Sequence, residues 1–347
     1  MSKKNIIFIV AAVVVIALSA VGYYAYTSVF SANTDFSEEQ AVVYIPTGAD
    51  YNTLVDSIQP LLKNIESFEM VAEKKGYKSS IRPGRYILKR NMNNNEIVNV
   101  LRSRNAPVKV RFNNQERLEN LAGRISNQIE ADSAELLQAM KDQQFLAKNN
   151  MSEREALSLY IPNQYEFYWN TSAEEFRKRM QQEYNRFWTE ERLEKAEEIN
   201  LTPTQVMVLA SIVQKETAKV DERPKVAGVY MNRYKNGWKL DADPTVIYAI
   251  KDESQKFDTI IKRVLYKDLK LDSPYNTYLY KEIPPGPITM PDISSIDAVL
   301  NYQDHDFFYF VADVQNFGYH KFAETLAQHN RNKREYVRWI NQQGIRR

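Results

Sequence analysis

The sequence predicts an α+β protein in three parts: a single N-terminal transmembrane helix, a small α+β module and a larger α+β domain. Three observations lead there. Residues 6–26 carry no charge. Between residues 41 and 106, two short β-branched or aromatic runs bracket helical repeats. From residue 107 onward helical periodicity dominates, broken by loops rich in proline, tyrosine and asparagine. A chain of 347 residues has room for two or three domains. Its 44% apolar and 26% charged residues are those of a globular chain and not of a disordered one.

The first part is the N-terminal helix. About 20 apolar residues cross the hydrocarbon core of a bilayer, and Tyr23, Tyr24 and Tyr26 suit its interface. Lys3 and Lys4 precede the stretch, and no Lys or Arg follows before Lys63. The positive-inside rule then makes residues 1–27 a cytoplasmic N-terminus and single-pass anchor in the cell membrane, with the remaining chain outside. A cleaved signal peptide has an apolar region of about 7–15 residues ending at small residues. This stretch is longer and ends in aromatics, so an uncleaved anchor is expected. Residues 28–40 lack periodicity and read as a short tether.

Residues 41–106 form the small module. Val42-Val43-Tyr44-Ile45 reads as a strand closed by Pro46, Thr47 and Gly48. Tyr51, Leu54, Val55, Ile58 and Leu62 follow at helical spacing, and Phe68, Val71 and Ala72 mark a second helix ending near Gly76. Pro83-Gly84 turns into a second strand, Arg85-Tyr86-Ile87-Leu88. The order strand–helix–helix–strand resembles a LysM-type module, a family that binds the sugar backbone of peptidoglycan and chitin.

Residues 107–347 form the larger domain. The spacing of Phe112, Leu118, Leu121 and Ile125 repeats that of Ile45, Tyr51, Leu54 and Ile58, so a second strand-to-helix unit opens it. Helices are expected near 115–130, 133–148, 172–200 and 203–219. Phe176, Met180, Tyr184 and Phe187 form a packing stripe, and residues 331–347 a basic amphipathic helix.

Composition excludes several chemistries. Lys+Arg 46 against Asp+Glu 44 leaves a net charge of +2, too little for a nucleic-acid partner. The chain has no cysteine, hence no disulfide, thiolate metal site or cysteine nucleophile. Its three histidines, His305, His320 and His329, do not have metal-helix spacing, and no G-x-S-x-G elbow is present.

A Ser-His-Asp hydrolase stays open on composition alone; the segment from Thr202 onward points to carboxylate chemistry. Thr202-Pro203 starts a helix with an N-cap hydroxyl and a proline at the first position. Val206, Leu209, Ala210 and Val213 form its buried stripe, and Glu216 continues the edge of that stripe. Desolvation there raises the pKa of a carboxyl, as a general acid near neutral pH requires. The position also suits half of a surface ion pair, with Lys215 or Arg223 as partner. Downstream, Asn232-Arg233, Asp243-Pro244-Thr245, Ser273-Pro274-Tyr275-Asn276-Thr277-Tyr278 and Pro284-Pro285-Gly286-Pro287 read as loops lining a sugar-binding groove. Asp243 ahead of a proline also suits a simple turn.

The blocks Leu209-Ala210-Ser211-Ile212-Val213-Gln214-Lys215-Glu216-Thr217 and Glu222-Arg223-Pro224-Lys225-Val226-Ala227-Gly228-Val229-Tyr230-Met231-Asn232-Arg233 strongly resemble the MltG (YceG-like) family. So do Asp243-Pro244-Thr245-Val246-Ile247-Tyr248, the Ser273 and Pro284 loops, Phe310-Val311-Ala312-Asp313 and His320-Lys321-Phe322. The family consists of membrane-anchored endolytic peptidoglycan transglycosylases. The resemblance implies that Glu216 is the catalytic acid, that no metal or organic cofactor is used, and that the partners are glycan strands and cell-wall synthases. Asn232, Asp243, Thr245, Tyr275 and Asn276 are expected to contact glycan or orient Glu216. The family often has glutamate where this chain has Gln214, and residues 161–167 follow the usual Pro-Asp-Thr-Tyr pattern only loosely, so no role is carried to Asn163 or Gln164. Two other readings share these residues: a non-enzymatic wall-binding scaffold, and a hydrolytic muramidase using Asp243 as a second acid.

Overall fold

The computed structural model describes residues 2–103 and 105–342. They divide into two compact units. The first comprises Met1–Val110, Asn127–Ala131 and Tyr165–Ser172, and the second Arg111–Ser126, Asp132–Gln164 and Ala173–Arg347.

The first unit opens with α1, Lys3–Phe30, a helix long and apolar enough to cross a membrane. Next come β1 (Gln40–Ile45), α2 (Tyr51–Ile58), α3 (Ile65–Lys74), β2 (Gly84–Lys89) and α4 (Asn94–Ser103). β1 and β2 pair antiparallel from Gln40↔Lys89 to Ile45↔Gly84, so Val43 and Ile45 face the same core as Tyr86 and Leu88. Leu54 and Ile58 of α2 and Phe68 and Val71 of α3 close that core, as their spacing predicted. Ile97, Val98 and Leu101 of α4, an element not expected, seal its remaining side.

The segment expected to be a tether is instead stitched into this unit. α1 runs on to Phe30, and Ser28 is already buried. The Asn94 side-chain amide donates to the Ser28 carbonyl at 2.8 Å. Asn33 donates to Asn94 Oδ1 at 2.7 Å and accepts from the Asn64 backbone N–H at 2.9 Å. Thr34 Oγ1 accepts from the Met92 N–H at 3.1 Å. Side-chain-to-backbone bonds of this kind leave no hydrophobic period, which is why the sequence reads as unstructured there.

The chain passes between the units within β3 (Pro107–Phe112) and β4 (Asn163–Tyr168), which pair as a two-stranded sheet. The second unit contains α5 (Leu118–Ser126), α6 (Ser133–Met140), α7 (Gln143–Lys148), α8 (Ala173–Phe187) and α9 (Glu190–Glu198). It continues with α10 (Pro203–Glu216), α11 (Arg223–Lys235), α12 (Asp243–Ser254), α13 (Ile293–Leu300), β5 (Tyr309–Ala312), β6 (His320–Ala323) and α14 (Leu326–Gln342). Two predicted helices are each broken in two, because Asp142 and Thr189 cap a new helix from within the expected run. The end of the helix predicted for 331–347 lies outside the described residues.

α10 is the axis of the second unit. Thr202 and Gln205 form a capping box around Pro203. Every residue from 206 to 213 is buried, a pattern of a helix enclosed on all sides. It packs against α9, α11, α12 and α13. The segments 223–235 and 243–254, expected as loops, are helices, each with proline in its first turn. α11 is buried from Val226 to Met231 without a polar face, so no amphipathic period betrays it.

Gly228 explains how closely α11 is covered. A Cβ at that position would lie 2.3 Å from the Gln303 carbonyl oxygen and 2.6 Å from His305 Nε2. Gly228→Ala is therefore expected to destabilise the protein by about 1–3 kcal/mol, read as a lower urea midpoint with an unchanged m-value.

Candidate active site

Glu216 is the last residue of α10 and is half-buried. The Tyr230 hydroxyl, carried on α11, donates to Glu216 Oε1 at 2.6 Å. Burial pushes the Glu216 carboxyl up to about 7; the Tyr230 hydrogen bond opposes this, the Asp243 charge adds to it, and Arg233 opposes it. The partial negative charge of a helix C-terminus also disfavours a carboxylate there. Burial and the neighbouring glutamate push the Tyr230 phenol well above its ordinary value, so it remains a donor. The ion-pair alternative is not formed: Lys215 bonds Glu116 at 2.7 Å, and Arg223 donates to Ser294 Oγ at 2.6 Å.

Asp243 opens α12 and accepts from the Tyr278 hydroxyl at 2.7 Å. Burial and that bond raise the Tyr278 pKa. Arg233 is buried and donates to the carbonyls of Phe308 at 2.7 Å and Leu240 at 2.5 Å, which fixes a positive charge behind the carboxyl.

Behind Glu216 the supports close into a ring. Thr217, the next residue, donates through its hydroxyl to Glu222 Oε2 at 2.8 Å. Glu222 is only 5% exposed; its Oε1 accepts the His320 N–H at 2.7 Å, and His320 Nδ1 lies 2.9 Å from its Oε2. The His320 ring meets Phe310 edge-on at 5.0 Å, and Phe310 meets Tyr230 edge-on at 6.0 Å. Tyr230 returns the ring to Glu216. The sequence blocks around residues 216, 222, 230, 310 and 320 thus converge on one carboxyl.

Of the residues expected to contact glycan or orient Glu216, Asp243 lies within electrostatic reach of it. The Asn232 amide donates to the carbonyls of His305 at 2.6 Å and Phe307 at 3.0 Å, tying α11 to that segment. Thr245 is fully buried and donates to the Ala242 carbonyl at 2.7 Å. Asn276 is fully buried and donates to the carbonyls of Leu269 at 3.1 Å and Leu271 at 2.8 Å. Tyr275 is 3% exposed and lines a cavity with Tyr248. The polar side chains of Asn232, Thr245 and Asn276 therefore hold these segments together. Gln214 does the same work, donating to Asp292 Oδ2 at 3.0 Å and accepting from Ser295 Oγ at 2.6 Å.

Tyr230, Tyr278, Arg233 and Glu222 were not singled out from the sequence. Each lies in a quoted block, but only packing brings the Tyr230 hydroxyl to Glu216, the Tyr278 hydroxyl to Asp243, Glu222 to Thr217 and His320, and Arg233 to the Phe308 and Leu240 carbonyls. Two substitutions test the electrostatics with opposite signs. Tyr230→Phe removes a donor to the ionised form and should raise the Glu216 pKa. Asp243→Asn removes a like charge and should lower it. Carboxyl ¹³C titration of Glu216 reads both; shifts of the same sign would contradict this geometry.

The fold is thus a mixed helix-and-sheet protein whose second unit sets a carboxyl of raised pKa at the end of an enclosed helix. Comparison with known proteins narrows this: the YceG-like family matches residues 43–335, and the chain belongs to that family. It is 27% identical over 314 residues to the endolytic murein transglycosylase of Bacillus subtilis, covering 85% of this chain and 84% of that protein. It is 34% identical over 138 residues to the endolytic murein transglycosylase of Streptococcus pneumoniae, which is 40% of this chain but only 24% of that protein. Among solved structures, a yceG-like protein of Listeria monocytogenes superposes with a TM-score of 0.57 at 27% identity, covering 85% of this chain and 99% of that one.

Proposed function

We propose that this protein is an endolytic murein transglycosylase with Glu216 as its general acid and base. The observation that carries the reading is the half-buried Glu216 carboxyl, held by the Tyr230 hydroxyl and raised by burial to about 7, in a chain of the YceG-like family. Protonated Glu216 gives its proton to the glycosidic oxygen between N-acetylmuramic acid and N-acetylglucosamine. The C1–O bond breaks through an oxocarbenium-like state. The C6 hydroxyl of the same muramyl residue closes on C1 and returns its proton to Glu216. The ring closure is intramolecular, so proximity replaces a second carboxylate and no water is consumed. The products are a 1,6-anhydromuramyl end and a free N-acetylglucosamine hydroxyl.

α1 anchors the protein in the cell membrane with Lys3 and Lys4 on the cytoplasmic side, and the remaining chain acts outside. Because α1 joins the small unit through Ser28 and Asn94, that unit works at the bilayer surface. Its strand–helix–helix–strand order supports a LysM-like role in holding glycan. Cleavage of nascent strands there ends their elongation beside the synthases that make them.

Mass spectrometry of glycan strands incubated with the full chain in detergent tests the chemistry. The expected fragments are internal and 18 Da lighter than hydrolysis products. The Asp243 carboxylate favours one second reading, a muramidase in which Asp243 activates water; reducing ends would establish it. Strands that bind without being cut would point to a scaffold.

A further inference from the structure

The second unit contains a cavity of about 390 Å³ whose lining includes Glu119, Arg154, Tyr248, Asp252 and Tyr275. Most of its charges are already satisfied. Lys141 bridges Glu119 at 2.9 Å and Glu153 at 3.0 Å. Glu116 bridges Lys215 at 2.7 Å and Lys251 at 2.9 Å. Arg117 covers the Phe257 ring at 4.2 Å. Among the described residues, the side chains of Arg154 and Asp252 alone of these charged groups make no hydrogen bond or ion pair. They do not pair with each other, although both fields reach the Tyr275 hydroxyl.

The backbone beneath Arg154 is firmly placed. A Cβ on Gly286 would lie 2.0 Å from the Arg154 carbonyl oxygen and 3.2 Å from the Tyr275 hydroxyl. The Pro284-Pro285-Gly286-Pro287 block therefore packs directly on the segment that presents Arg154, while the guanidinium stays free. A second cavity of about 300 Å³ shares Glu116, Tyr248 and Phe257 with the first. Its lining includes Lys215 and Pro244, the chain neighbours of Glu216 and Asp243. The two cavities follow α12 away from the acid. From Asp243 to Asp252 the helix rises about 14 Å, the reach of about four extended residues.

We propose that these joined cavities receive the short peptide borne by the muramyl residue, with Asp252 taking the ammonium of its diamino acid and Arg154 a carboxylate. The inference rests on the transglycosylase reading for the presence of that peptide. The charge pattern selects the ligand class. A polyanion would meet Asp252, Glu116 and Glu119, and a polycation would meet Arg154, Arg117 and Lys141. A ligand bearing an ammonium and, separated from it, a carboxylate pairs with the two free groups, and charge-assisted hydrogen bonds to both make the contact specific.

Two measurements on the full chain in detergent test this. The first is calorimetric binding of synthetic N-acetyl-L-alanyl-γ-D-glutamyl-L-lysyl-D-alanine to the wild type and to Arg154→Ala and Asp252→Asn. Each variant should bind about tenfold more weakly. Absent binding, or equal binding by all three, overturns the proposal. The second is kcat/KM on peptide-bearing glycan divided by that on the same glycan stripped of peptide. This ratio should be about ten for the wild type and about one for the variants. A wild-type ratio of one, with both glycans cut, overturns the peptide site and leaves the transglycosylase reading standing. Peptide binding that depends on Arg154, with neither glycan cut, upholds the site and overturns the catalytic reading.

Discussion

Replacing Glu216 with glutamine is expected to lower glycan cleavage by about 10²–10⁴-fold, the usual contribution of a positioned general acid, while leaving the fold intact. The amide nearly matches the carboxyl in shape and can still accept from Tyr230 Oη, so the supporting ring persists. The pH dependence carries the same information. The wild-type carboxyl titrates near 7, and the acid form is the one that donates, so cleavage should decline as pH rises through that value. Stability follows the same proton. The folded pKa lies above the unfolded one, so the folded state binds more protons between about 4.5 and about 7. The contribution is fully present below about 4.5 and is lost as pH rises through about 7. At about 1.4 kcal/mol per unit, the Gln variant should exceed the wild type at pH 8 by up to about 3 kcal/mol relative to their difference at pH 4. Urea denaturation at the two pH values measures this. Retained cleavage in the variant, or pH profiles that do not differ, would remove Glu216 from the mechanism.

Glu222→Ala should have the next largest effect, through position and not through chemistry. The buried carboxylate serves Thr217 Oγ1, the His320 backbone N–H and His320 Nδ1. Removing it leaves buried polar groups unpaired, at a cost of about 2–4 kcal/mol. It also frees the residue that follows Glu216. The expected result is a ten- to hundredfold loss of kcat with KM nearly unchanged, measured per mole of folded enzyme. The apparent pKa of the basic limb should shift as well. Glu222→Gln, which keeps acceptor oxygen in place, should recover part of kcat. A purely structural role would lower only the folded fraction, leaving kcat per folded molecule and the pH limb as in the wild type.

Much of the scaffold is legible before any coordinates. The charge-free run over residues 6–26 marks α1, and the β-branched and aromatic run Val42-Val43-Tyr44-Ile45, closed by Pro46, marks β1. The Thr202-Pro203 cap starts α10 where it is observed. α11 and α12 were missed although a signal was present: Arg223-Pro224 and Asp243-Pro244 place proline in the first turn of a helix. The periodicity test failed for α11 because the helix is buried on nearly every side. The opposite failure occurred at residues 31–35, where structure rests on asparagine and threonine hydrogen bonds that have no period.

The candidate site divides along the same line. The sequence by itself determined the apolar N-terminal helix, the strand–helix units, the family blocks and the position of Glu216 at the end of an apolar stripe. Local rules sufficed for these, because a helix cap, a hydrophobic period and chain adjacency act over a few residues. Only the tertiary structure decided that Tyr230 donates to Glu216 and that Glu222 joins Thr217 to His320. It also decided that Thr245 and Asn276 spend their polar groups inward, and that Arg154 and Asp252 are left free in one cavity. Those outcomes depend on which buried groups meet across separated segments, and a hydrogen bond or a desolvation shift exists only once packing has excluded water and fixed the partner.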